Sequence, residues 1–147
     1  MAVRSCRIST LRALAAGAKS RASARSYDHV DEELKEIITL NRVSPERRRN
    51  LLQVFHGMRA LESGIKETIR GHGIGPEKTL GGLLYQMNRL PPNHSCHMDA
   101  GNLGRFLSMV RADRNRIMHE ANAFPRTNRE CDRIMGEITA CFTQTVK

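Results

Sequence analysis

The chain has 147 residues, 39% of them apolar and 4% aromatic, and 24 Lys and Arg against 15 Asp and Glu give a net charge of +9. That length buries one substantial core, and the apolar share excludes a wholly disordered chain. No stretch approaches the roughly 18 consecutive apolar residues of a transmembrane helix, so no membrane partner is expected.

The charge is uneven. Residues 1–26 hold Arg4, Arg7, Arg12, Lys19, Arg21 and Arg25 without an acid, which is six of the nine net positive charges. The body from residue 27 is thus only mildly basic, and attraction of an anionic partner is local rather than global. Residues 1–26 read as a basic flexible tail, or as an organelle-targeting segment rich in Arg, Ser and Ala; without such targeting, a cytoplasmic location is expected. Cys6, Cys96, Cys131 and Cys141 are too scattered for a disulfide framework and read as reduced thiols.

From residue 27 onward the pattern is helical. Val30, Leu34, Ile37 and Ile38 give a short amphipathic helix from Tyr27 to about Leu40. Ser44-Pro45-Glu46 then supplies a cap, a first-turn proline and an acid at the positive helix end. A long helix follows to about Arg70 on a stripe of Leu51, Phe55, Met58, Leu61, Ile65 and Ile69, with Glu62 beside it. Gly71, Gly73 and Gly75 end it; they lack the Lys-Ser/Thr of a phosphate loop. Pro76-Glu77 reopens a helix through Leu80, Leu83, Leu84, Met87 and Leu90, which Pro91-Pro92 stops. His94, Cys96 and His97 lack a second paired ligand module, so they read as a loop and no metal site is assigned. A fourth helix runs from Asp99 or Asn102 through His119; Pro125 breaks the chain, and Thr127 or Asn128 caps a last helix packing through Ile134, Ile138, Cys141 and Val146. No strand alternation occurs. The predicted fold is all-α, a mostly antiparallel bundle of four to five helices over residues 27–147.

Chemistry concentrates on the fourth helix. Leu103, Leu107, Val110, Ile117 and Ala121 follow one face, and Arg114 interrupts it. An arginine there must reach solvent, pair with an acid such as Glu62, or line a groove. His119 lies about 140° around the helix and about 7.5 Å along it, within reach of the long Arg114 arm. Asn115, four residues before His119, can hydrogen-bond the ring or a substrate oxygen, and Arg111 and Arg116 add positive charge for an anionic substrate. A histidine able to exchange a proton near neutrality, beside a guanidinium that stabilises phosphoryl charge, can drive attack of an RNA 2′-hydroxyl on its own phosphate. The scheme needs no cofactor, and DNA lacks the attacking hydroxyl. Phe106 and Phe142 fall in packing contexts and read as core anchors.

Arg114-Asn115-Arg116-Ile117-Met118-His119 resembles the Arg-polar-x3-His signature of HEPN-domain proteins, and Thr79-Leu80-Gly81-Gly82-Leu83-Leu84 resembles the start of an internal helix seen in several branches of that family. The resemblance spans about residues 44–147. It implies a metal-independent endoribonuclease and a homodimer with the two Arg/His helices facing across a cleft. In that arrangement Arg114 polarises phosphate, His119 is the acid/base and Asn115 orients the scissile group. It further implies a toxin or antiviral defence effector, controlled by a cognate antitoxin or defence-system protein. The toxin branch whose regulation modifies a Tyr two residues after the histidine is not matched, since Ala121 stands there. The alternative is a noncatalytic HEPN-like module that binds a partner protein or nucleic acid.

Overall fold

The computed structural model describes residues 2–21 and 27–146, with side chains given for 8–17 and 27–146. Among the described residues the fold is an all-α bundle without strands, and no helix is long and apolar enough to cross a membrane. Its elements are α1 (Ala2–Arg21), α2 (Tyr27–Thr39) with a 3-10 turn at Leu40–Arg42, α3 (Glu46–Gly71), α4 (Leu80–Asn88), α5 (Ala100–Phe106), a π-helical stretch at Leu107–Arg111, α6 (Ala112–His119) and α7 (Asn128–Thr145).

The first departure from expectation is α1. Where the sequence predicts a basic flexible tail or a targeting segment, residues 2–21 form a helix that packs on α2 and α7, and Ile8, Leu11 and Ala15 are buried in the main core. Their spacing of three and four residues is helical, and Arg12 on the flank donates to Asp31 on α2 at 2.6 Å. Positive charge is compatible with this because the stripe is apolar even though the helix as a whole is not. Residues 22–26, including Arg25, and the side chains of Arg4, Cys6, Arg7, Lys19 and Arg21 lie outside the described residues.

Helix α3 is the central strut. It runs antiparallel to α2, as Tyr27 with Thr68 (2.9 Å), Glu33 with His56 (2.6 Å) and Asn41 with Gln53 (3.1 Å) show. It runs parallel to α7, contrary to a strictly alternating bundle. A β-carbon on Gly57 would meet Met135 Sδ at 3.0 Å, and one on Gly64 would meet Val146 Cγ2 at 2.8 Å, so the two chains advance together at close approach. The parallel pairing is possible because α4, α5 and α6 carry the chain back first. α7 is antiparallel to that return segment, tied by Arg105–Glu137 (3.0 Å), Asp113–Arg133 (3.0 Å) and Arg116–Glu130 (3.1 Å).

Local chemistry sets most helix ends. Gly73, at φ 73°, closes α3 in a left-handed turn: Ile74 N donates to Ile69 O (3.2 Å) and Gly73 N to Arg70 O (2.9 Å). Pro45 rather than Ser44 occupies the α3 cap, and its carbonyl takes the first-turn amides of Arg48 and Arg49. α4 opens at Thr79 rather than at Pro76-Glu77, because the Thr79 hydroxyl accepts from Gly82 N at 3.1 Å. Asp99 and Thr127 cap α5 and α7 in the same way. Phe106 and Phe142 are fully buried, and Cys96, Cys131 and Cys141 are free thiols in the interior. Burial pushes the Cys141 thiol up to about 12.

Glu130 locks the entry to α7. Its carboxylate accepts from Arg126 N at 2.9 Å and from Arg116, and the backbone donor first, then the guanidinium, hold it below the usual carboxylate range. A folded-state value below the unfolded one contributes stability that is complete above the unfolded value, about 4.3, and is lost as pH falls through the folded one. Glu130→Gln is therefore expected to lower stability by about 0.5–2 kcal/mol at pH 7. Urea unfolding should show the difference between the two proteins shrinking below about pH 4.

Candidate active site

The π-helical stretch Leu107–Arg111 lies between α5 and α6, so the return segment is not one uniform α-helix. A π turn holds an extra residue and rotates the downstream residues by about 100° relative to an uninterrupted helix. Leu103, Phe106, Val110 and Ile117 remain buried, and Leu107 is half-buried. The apolar seam does not continue to Ala121, which is exposed: Glu120 is extended and Asn122 takes a positive φ of 66°, so the helix stops at His119.

Arg114 reaches out of the seam. Its side chain keeps 24% exposure, and its Nη2 donates to Glu62 on α3 at 3.3 Å. Its Nη1 lies 3.2 Å from His119 Nε2 and 3.4 Å from Asn115 Oδ1. A guanidinium only donates, so a hydrogen bond between the two side chains requires Nε2 to be the accepting nitrogen. Arg114 Nε is buried without a hydrogen-bond partner among the described residues. An unmet donor costs about 1–3 kcal/mol. The structure therefore brings Arg114, Asn115 and His119 together and adds Glu62 from 52 positions away.

Arg114, Asn115 and His119 border a cleft of about 550 Å³ between α4 and the end of α6. One wall is Thr79, Gly81, Gly82 and Tyr85; the other is Arg111, Arg114, Asn115 and His119. A β-carbon on Gly81 would lie 3.0 Å from Arg111 Cδ, a close contact to which the Arg111 stem would have to give way. The absent side chain lets the Arg111 stem lie across the helix start. The two separate stretches singled out in the sequence, 79–84 and 114–119, thus meet at one opening.

Arg116 does not join them. Expected to bind substrate, it is bound instead to Asp113 at 3.2 Å and Glu130 at 3.1 Å, because it faces α7 rather than α4. Its guanidinium is held protonated above its ordinary value: burial opposes this, and the hydrogen bonds to the two carboxylates outweigh it. Tyr85 is the wall residue that helical spacing alone leaves unassigned; its position one turn after Gly81 is the signal that points to it.

His94, Cys96 and His97 lie in the loop between α4 and α5, where His72 from the end of α3 comes within 3.3 Å of Cys96 Sγ. His97 is engaged with Leu90 O and His94 with Cys96 N. Among the described residues, no group of three or more His, Cys, Asp or Glu side chains is placed to hold a metal ion. No family model matches the chain, and no curated protein or solved structure gives a significant match to it.

Proposed function

We propose that the chain is a metal-independent endoribonuclease that cleaves RNA by attack of a 2′-hydroxyl on the adjacent phosphate. One observation carries this: Arg114 and His119 converge to 3.2 Å at the rim of a cleft of about 550 Å³. His119 Nε2, an acceptor, takes the 2′-hydroxyl proton as the O2′–P bond forms. Arg114 and Arg111 stabilise the charge gathering on the phosphoryl oxygens, and Asn115 orients the phosphate. The P–O5′ bond breaks, the 5′-oxygen takes a proton from the imidazolium, and a 2′,3′-cyclic phosphate remains. Glu62 acts as a positioning residue that orients the Arg114 fork.

The HEPN resemblance adds a homodimeric working unit, RNA as partner, and a toxin or antiviral defence role in the cytoplasm under a cognate antitoxin or defence-system protein. The test is incubation of the purified full chain with mixed RNA in EDTA between pH 6 and 8. Products ending in 2′,3′-cyclic phosphate and 5′-hydroxyl are expected; intact RNA from folded protein overturns the proposal.

A specific observation favours a second reading. Arg114 is already engaged by both Glu62 and His119, as in a structural lock, which suits a noncatalytic module binding a partner protein or nucleic acid. RNA bound stoichiometrically and recovered uncut would favour it.

Gly81→Ala probes the cleft without touching the Arg/His pair. The added methyl pushes the flexible Arg111 stem outward while leaving the core intact. Apparent RNA affinity is expected to fall up to about tenfold, the loss of one hydrogen-bonded contact. Thermal denaturation should show an unchanged or slightly raised midpoint, since alanine is the better helix former.

A further inference from the structure

Tyr85 is one of two large hydrophobic side chains left exposed among the described residues, at 44%, and the other, Ile38, lies away on α2. The core does not require it there. α4 buries Leu80, Leu83, Leu84 and Met87, and Tyr85 projects from the other side, one turn beyond Gly81, onto the cleft.

Its backbone is held at both ends of a short helix. Thr79 caps the start, Gln86 donates to Gly75 O at 2.7 Å and accepts from Glu77 N at 3.1 Å, and Asn88 donates to Met98 O at 2.8 Å. An exposed aromatic ring on a fixed support loses little conformational freedom when a flat ligand covers it. Across the same opening stand Arg111 and Arg114, so a planar apolar surface and two cations border one space. That pairing of surfaces matches the two parts of a nucleotide, its base and its phosphate. The cleft volume lies within the range of pockets that hold a small ligand.

We infer that Tyr85 is a base-stacking platform, on which the base next to the scissile phosphate lies while Arg111 and Arg114 hold the phosphate. This rests on the ribonuclease function proposed above. Stacking demands an unpaired base, and because every base has a π face, Tyr85 selects accessible nucleotides without fixing their identity.

The experiment uses the full chain and two non-cleavable 2′-O-methyl oligonucleotides of equal length, one bearing bases and one abasic. Wild type is expected to bind the base-bearing strand about five- to a hundredfold more tightly. Tyr85→Phe should keep that preference, and Tyr85→Leu should remove it while leaving the salt dependence, which reports phosphate contacts, unchanged. With cleavable RNA, Tyr85→Leu should raise KM more than it lowers kcat. A wild-type base preference that survives in Tyr85→Leu overturns the inference while the ribonuclease function stands; so does an altered oligomeric mass with that preference intact, which makes the ring an interface residue. Failure of wild type both to bind either strand and to cut RNA overturns the two together.

Discussion

Replacing His119 with alanine is expected to slow RNA cleavage by about 10²–10⁴-fold, the usual contribution of a positioned acid/base. Arg114→Ala should cost about 10²–10³-fold through lost charge stabilisation on the phosphoryl oxygens. Arg114→Lys should recover little, because an ammonium cannot span Glu62, His119 and a phosphate with one planar fork. The double variant should be scarcely slower than the worse single one, as expected for groups acting as a unit. Single-turnover cleavage under EDTA measures all four proteins. Equal rates for wild type and His119→Ala would remove the acid/base role.

Stability needs separate control, because Arg114→Ala leaves Glu62, with 14% side-chain exposure, without its cation. That carboxylate then costs about 1–3 kcal/mol. Glu62→Gln in the Arg114→Ala background should restore the denaturation midpoint without restoring cleavage. A rate that recovers with the midpoint would show that Arg114 serves only the fold.

Leu11→Ala is expected to destabilise the protein by about 2–5 kcal/mol, the cost of emptying a core leucine site. Leu11 is fully buried between α1 and the rest of the bundle, with Ile8 and Ala15 on the same stripe. Ala13→Ser, on the exposed side of α1, should change stability by less than about 0.5 kcal/mol. Urea denaturation of the full chain compares them; equal midpoints for Leu11→Ala and wild type would mean that α1 contributes no packing. Asp31 adds a pH signature. Its hydrogen bond from Arg12 holds its carboxyl below the ordinary range, so the α1–α2 tie is complete above that range and weakens on acidification.

The helices from α2 onward are legible in the residues because the signals are local. Apolar spacing marks α2, α3 and α7, Asp99 and Thr127 offer oxygens to amides three residues on, and Gly73 adopts the left-handed turn that ends α3. α1 is obscured by its charge: six cations in residues 1–26 outweigh a stripe only three residues wide in its described part. The start of α4 is easily misplaced because proline and glutamate are common early in helices, whereas the Thr79 hydroxyl makes the capping bond.

At the site the division is similar. Arg114, Asn115 and His119 fall within six consecutive positions of one helix, so helical geometry and a long arginine arm bring them into reach without outside help. Which acid holds Arg114, and whether Arg116 faces substrate or α7, depends on where distant segments return. Arg116 has Asp113 and Glu130 within 3.2 Å, and electrostatics favours the nearest carboxylates over a shared role in the cleft. Gly81 beneath Arg111 and Tyr85 across from His119 become neighbours only when α4 docks beside the π-helical stretch. The residues by themselves determined most helices of the body and the nearness of Arg114 to His119, since both follow from interactions within about two turns. Tertiary structure decided the place of α1, the parallel run of α3 and α7, and the composition of the cleft, since those depend on packing between segments that sequence spacing does not relate.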